Sequence, residues 1–126
     1  MSVPLMPLTL AAEYALYARI EAHLLTTYPD VTVRHSKTQS AFARQVQFCW
    51  VTPPRRKMDA GGVMLYIALP FQLESPRILH TAGPSRERYM HHILLRRAED
   101  FDAEIRQWLE TAWALVGPGR KSGGLT

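Results

Sequence analysis

The chain has a single cysteine, which excludes an internal disulfide framework. That residue, Cys49, lies in the apolar stretch Val46-Gln47-Phe48-Cys49-Trp50-Val51. A buried strand thiol is expected there rather than a nucleophile. Without disulfides, a reducing cytoplasm is the expected compartment. No stretch approaches the ~20 apolar residues that span a bilayer. The start, Met1-Ser2-Val3-Pro4-Leu5-Met6-Pro7, lacks the basic end and apolar run of a signal peptide. No membrane partner is therefore expected. There is no Gly-x-Ser-x-Gly elbow and no phosphate loop, since Gly61-Gly62 reads as a turn. The histidines lack the paired spacing of metal ligands. Neither a catalytic residue nor a metal or cofactor is assigned.

Apolar residues make up 47% of the 126 and charged residues 21%, the balance of one globular domain with its own core. Acids are in the minority, 11 against 15 lysines and arginines, for a net charge of +4. That excess permits contact with a polyanion.

Hydrophobic spacing predicts a helix starting near Thr9, with Tyr14, Tyr17, Ile20 and Leu24 as its buried stripe. Pro29-Asp30 ends it with a turn. Val31, Val33 and His35 alternate with polar residues as in a strand. Residues 41–44 predict a second strand that residues 46–51 extend or pair with. Residues 63–69 give the most apolar strand, 77–81 another, and 88–96 the last, with Gly83-Pro84-Ser85-Arg86-Glu87 as the turn between these two. A second helix is expected from near Asp100, with Phe101, Ile105, Trp108, Leu109, Ala112 and Leu115 as its apolar stripe. Asp100, Asp102 and Glu104 suit its positive end. Short connections favour antiparallel pairing. The expected fold is therefore a two-layer α+β domain. An antiparallel, meandering sheet of about five strands is covered by an N-terminal and a C-terminal helix. Residues 1–8 form an extension, 9–117 the domain, and 118–126 a mobile tail.

Within the last strand, His91 and His92 are adjacent. Successive strand residues point to opposite faces, so one imidazole packs and the other meets solvent or a groove. They cannot both ligate one metal from an undistorted strand.

Three segments carry a resemblance. They are Lys37-Thr38-Gln39-Ser40-Ala41-Phe42, then Ser75-Pro76-Arg77, and then Arg88-Tyr89-Met90-His91-His92 with Asp100, Asp102 and Trp108-Leu109-Glu110-Thr111-Ala112-Trp113. Together they resemble the bacterial family called domain of unknown function 5655, over nearly the whole chain. Ala112-Trp113 stands where alanine-tyrosine is more usual. The resemblance implies the fold class and draws attention to these residues; it implies no reaction.

The expected function is a binding module that contacts an anionic ligand or partner, nucleic acid or an acidic protein, through a basic rim. The candidate contacts are Lys37, Thr38, Arg44, Arg88, and His91 or His92, with Trp50, Tyr66 and Tyr89 as stacking surfaces wherever they are exposed. Two alternatives remain open from sequence. One is a hydrolase-type enzyme using His91 or His92. The other is an interaction or dimerisation module without a ligand.

Overall fold

The structure is a computed structural model, and it describes residues 3–119. The outer part of the expected mobile tail, residues 120–126, lies outside the described residues. The order of elements is helix α1 (Ala11–Thr27), strands β1 (Thr32–His35), β2 (Ser40–Ala43), β3 (Gln47–Thr52), β4 (Val63–Leu69), β5 (Ile78–Ser85) and β6 (Arg88–Leu95), then helix α2 (Ala103–Leu115). The strands form one sheet in the order β1-β2-β3-β4-β6-β5. Every neighbouring pair is antiparallel.

Helix α1 begins two residues later than Thr9, and Glu13 does the capping. Its carboxylate accepts the Thr9 and Leu10 backbone N–H groups at 2.9 and 3.3 Å, and reaches the Gly61 N–H at 2.8 Å. This satisfies otherwise orphaned donors of the first turn. Tyr14 is not on the buried stripe but 42% exposed. The stripe is Glu13, Leu16, Tyr17, Ile20, Glu21 and Leu24. Helix α2 is capped by Asp102, which accepts from the Ile105 N–H at 3.2 Å. Phe101 is buried just before it, while Leu115 at its end is exposed. The buried faces of both helices meet Phe42, Phe48, Cys49, Leu65, Ile67 and Ile93 in one core. Two helices on one side of an antiparallel sheet make the two-layer α+β arrangement.

The sheet has six strands rather than about five, because residues 41–51 break into two. Gln45 and Val46 leave the ladder and donate their N–H groups to the Gly117 carbonyl at 2.8 and 2.9 Å. Nor is it a plain meander, since β6 lies between β4 and β5. Leu69 pairs with Tyr89 at one end of β6, whereas Ile78 pairs with Ile93 near the other. The connector, residues 70–77, must therefore travel back along β6. It does so on the core side, where the Leu73 N–H donates to His91 Nε2 at 2.9 Å. Strand β5 runs on to Ser85, so only Arg86 and Glu87 form the turn.

Candidate binding face of the sheet

The face of the sheet turned away from the helices follows from register. Side chains paired directly across strands share a face. Cys49, Ile67 and His91 form one inward row. The next row, Trp50, Tyr66, His92 and His80, faces outward across β3, β4, β6 and β5. All four carry rings. The Tyr66 and His92 centroids are 4.7 Å apart, edge to face, and His92 and His80 follow at 5.0 Å. The Trp50 indole is oriented by its N–H donating to Gln47 Oε1 at 3.1 Å. Thr52 Oγ1 donates to the Tyr66 hydroxyl at 3.3 Å.

Small residues in the following row, Ala68 and Ala82 on either side of Met90, leave room beside this aromatic row. A groove of about 420 Å³ is floored by Ala68, Ala82 and Met90, with Trp50 on one side and Arg86 and Arg88 on the other. A second hollow of about 380 Å³ shares Trp50 and Met90 and continues to Tyr66, Thr52 and Gln39. The two therefore adjoin across Trp50.

Charge is distributed unevenly around the molecule. Arg44 pairs with Asp30, Arg56 and Arg96 with the buried Asp59, Arg77 with Asp102 and Glu104, and Arg97 with Asp100. By contrast, Arg86 and Arg88 at the groove make no ion pair among the described residues, and neither does Arg55. Arg55 is close enough to act on His92. Burial first, then repulsion from His80 and Arg55, holds the His92 imidazole pKa below its usual range. His92 is thus a neutral ring near pH 7, available for stacking.

The candidate residues separate accordingly. Arg88 and His92 share the outward face. Lys37 and Thr38 are exposed in the turn that leads to Gln39, at the far end of the second hollow. There Ser36 bonds to Thr38 and Gln39 and shapes the turn. Arg44 lies beyond the other end of β2, fixed to Asp30 at 2.8 Å and over the Trp113 ring at 4.1 Å. His91 is fully buried. Its Nδ1 is 3.1 Å from the Ile67 carbonyl, and its Nε2 accepts from Leu73. Those partners set a neutral tautomer with the proton on Nδ1. Of the stacking candidates, Trp50 and Tyr66 are outward, whereas Tyr89 pairs with Leu69 in an inward row. Cys49 is fully buried, and burial pushes its thiol well above the ordinary range.

Sequence reasoning did not single out Met90 as a groove residue or His80 as a member of the outward row. The available signal was the two-residue period of β3 and β4, which places Trp50 with Thr52 and Tyr66 with Ala68. The neighbouring contributions from β5 and β6 depend on a strand order that periodicity does not carry.

A family model described as Domain of unknown function (DUF5655) matches residues 10–116. No curated protein and no solved structure matches the chain.

Proposed function

Because the chain belongs to the DUF5655 family, whose description names no activity, we propose from its residues that it binds single-stranded nucleic acid on the open sheet face. One observation carries the reading: a row of rings on a face that no described helix covers, bordered by arginines that make no ion pair among the described residues. Flat rings stack with any base, and unpaired guanidinium groups attract the phosphates between them. Every base has a π-face, so this chemistry is tolerant of sequence. An acidic protein would use the arginines but leave the aromatic row without a role. A lone buried thiol fits a reducing compartment, and cytoplasm is part of the proposal.

The test is fluorescence anisotropy with labelled single-stranded and duplex oligonucleotides over a range of salt. The single strand is expected to bind more tightly, with affinity falling as salt rises. Trp50→Ala should cost about 1–3 kcal/mol of binding, the usual worth of one stacked base. Arg88→Ala should weaken all sequences alike and flatten the salt dependence by roughly 0.7 in log–log slope, one phosphate contact on a single strand. Arg19→Ala removes the same charge from the exposed side of α1 and should leave binding unchanged. Failure of the wild type to bind at low salt, or equal losses for Arg19→Ala and Arg88→Ala, would overturn the proposal.

A further inference from the structure

The outward row ends in two histidines from neighbouring strands. His80 on β5 and His92 on β6 are direct partners in the register, so both rings stand on the open face. Their ring centroids are 5.0 Å apart, with an interplanar angle of 78°. Two imidazoles on one zinc-type ion, each with its nitrogen ~2.0 Å from the metal, place their centroids about 5 Å apart. The spacing of the pair is already that of two ligands. The χ2 torsion of an imidazole is soft, so one nitrogen of each ring can turn toward a common point. Those nitrogens are also uncommitted. His23, His35 and His91 hydrogen-bond through their rings, whereas His80 and His92 bond to no described residue. His80 is exposed and His92 half-buried, which gives an ion a direct path from solvent. The metal pair that alternation forbids to His91 and His92 along one strand is thus supplied across two.

We propose that His80 and His92 hold one divalent cation of the imidazole-preferring class, zinc, nickel or copper, across β5 and β6. Imidazole nitrogen suits these ions, whereas magnesium and calcium take oxygen ligands. No group of three His, Cys, Asp or Glu gathers to hold a metal among the described residues, so the chain supplies two ligands and water the rest. The remaining positions on the ion stay open on the sheet face, where a phosphate oxygen or a base nitrogen can take one. Arg55 is near enough to act on His92, and its charge opposes a bare cation. By the same token it favours an ion that carries an anion. No described acceptor fixes the far nitrogen of either ring, so binding is modest and the ion exchanges. His91 takes no part, since it is fully buried with both nitrogens engaged. The pair is hidden in the sequence because β5 and β6 shift register between Ile78 and His80.

The experiment titrates zinc chloride into the full chain, without a purification tag, and follows the ring signals of the five histidines by NMR. The His80 and His92 signals are expected to shift together and to saturate at one zinc per chain, while those of His23 and His35 stay in place. Nickel should broaden the same two sets of signals, and magnesium at matched ionic strength should do nothing. His80→Asn, at an exposed position, should weaken zinc binding about tenfold or more, because the remaining imidazole loses the advantage of a second ligand held nearby. The site needs no nucleic acid, so metal alone decides the matter, separately from the oligonucleotide measurements. Zinc that moves neither ring, one ring without the other, or all five alike would overturn the proposal. So would an equal response to magnesium, or a His80→Asn chain that binds zinc as tightly as wild type.

Discussion

His91 is a structural peg. The connector from β4 to β5 has to cross the core side of β6, and its backbone needs partners there. The buried imidazole supplies one, accepting the Leu73 N–H at 2.9 Å while its other nitrogen meets the Ile67 carbonyl. A leucine would fill similar space but leave the Leu73 N–H unpaired. His91→Leu should therefore lower stability by about 1–3 kcal/mol, the cost of a buried unsatisfied donor. Exchange of the Leu73 amide should accelerate more than that of the β3 and β4 amides. His91→Gln, which keeps an acceptor near Nε2, should recover part of the loss. Urea unfolding with amide exchange checks this, and equal stability of His91→Leu and wild type would refute the peg. Strand alternation alone indicates that His91 and His92 have opposite environments. It does not say which one is buried, because that depends on where the connector lies.

Among the elements, local pattern was informative wherever local physics decides. The expected bounds of β4 are the observed ones, since Val63–Leu69 is uniformly apolar and closed by Pro70. The β5–β6 hairpin differs. Gly83-Pro84-Ser85 has turn composition yet continues β5, with Gly83 at φ 114, where a side chain would collide with the Arg88 carbonyl. The two-residue turn falls instead on Arg86 and Glu87, at φ 53 and 64. Such turns favour Asn-Gly, and side chains other than Asn, Asp or Gly are strained in that region. The strain coincides with Arg86, which lines the groove. Replacing Arg86-Glu87 with Asn-Gly should stabilise the fold by about 1–2 kcal/mol while weakening oligonucleotide binding. Thermal unfolding and anisotropy measured on one variant check both halves. A variant that neither gains stability nor loses affinity would show that the turn serves no ligand. The groove was only partly legible for the same reason. Trp50 and Tyr66 follow from alternation, but Arg86, Ala82 and His80 join them only through the β4-β6-β5 order.

For the whole molecule, perturbed titrating groups occur in both layers, and their signs predict how the fold responds to acid. His23 and His92 are each lowered from 6.5, chiefly by burial, with Arg106 adding to the first and His80 and Arg55 to the second. A lowered histidine pKa means that the unfolded chain takes up the proton first. Stability conferred by keeping these rings neutral is therefore complete above about pH 6.5 and is lost as pH falls below it. Carboxylates act next. Asp102 is lowered by its hydrogen bond from Arg77, against some opposing burial. Asp30 is lowered first by the Trp113 N–H and then by Arg44. Burial alone would raise Glu13, but the N–H groups of Gly61, Thr9 and Leu10 outweigh it and leave it lowered from 4.5. The stability these acids confer is present above their unfolded values, 4.5 for Glu13 and 3.8 for Asp30 and Asp102, and is lost below them. Denaturant midpoints across pH should thus fall in two steps, one beginning near 6.5 and one below 4.5. His23→Gln should shrink only the first step and Glu13→Gln only the second. Ligands change the first step in a defined direction: phosphates on the open face offset the repulsion at His92, so an oligonucleotide should bind more tightly as pH falls from 7 toward 6. Stability that rises on acidification through this range, or an affinity that weakens, would contradict the placement of these histidines beside arginines that no described acid pairs.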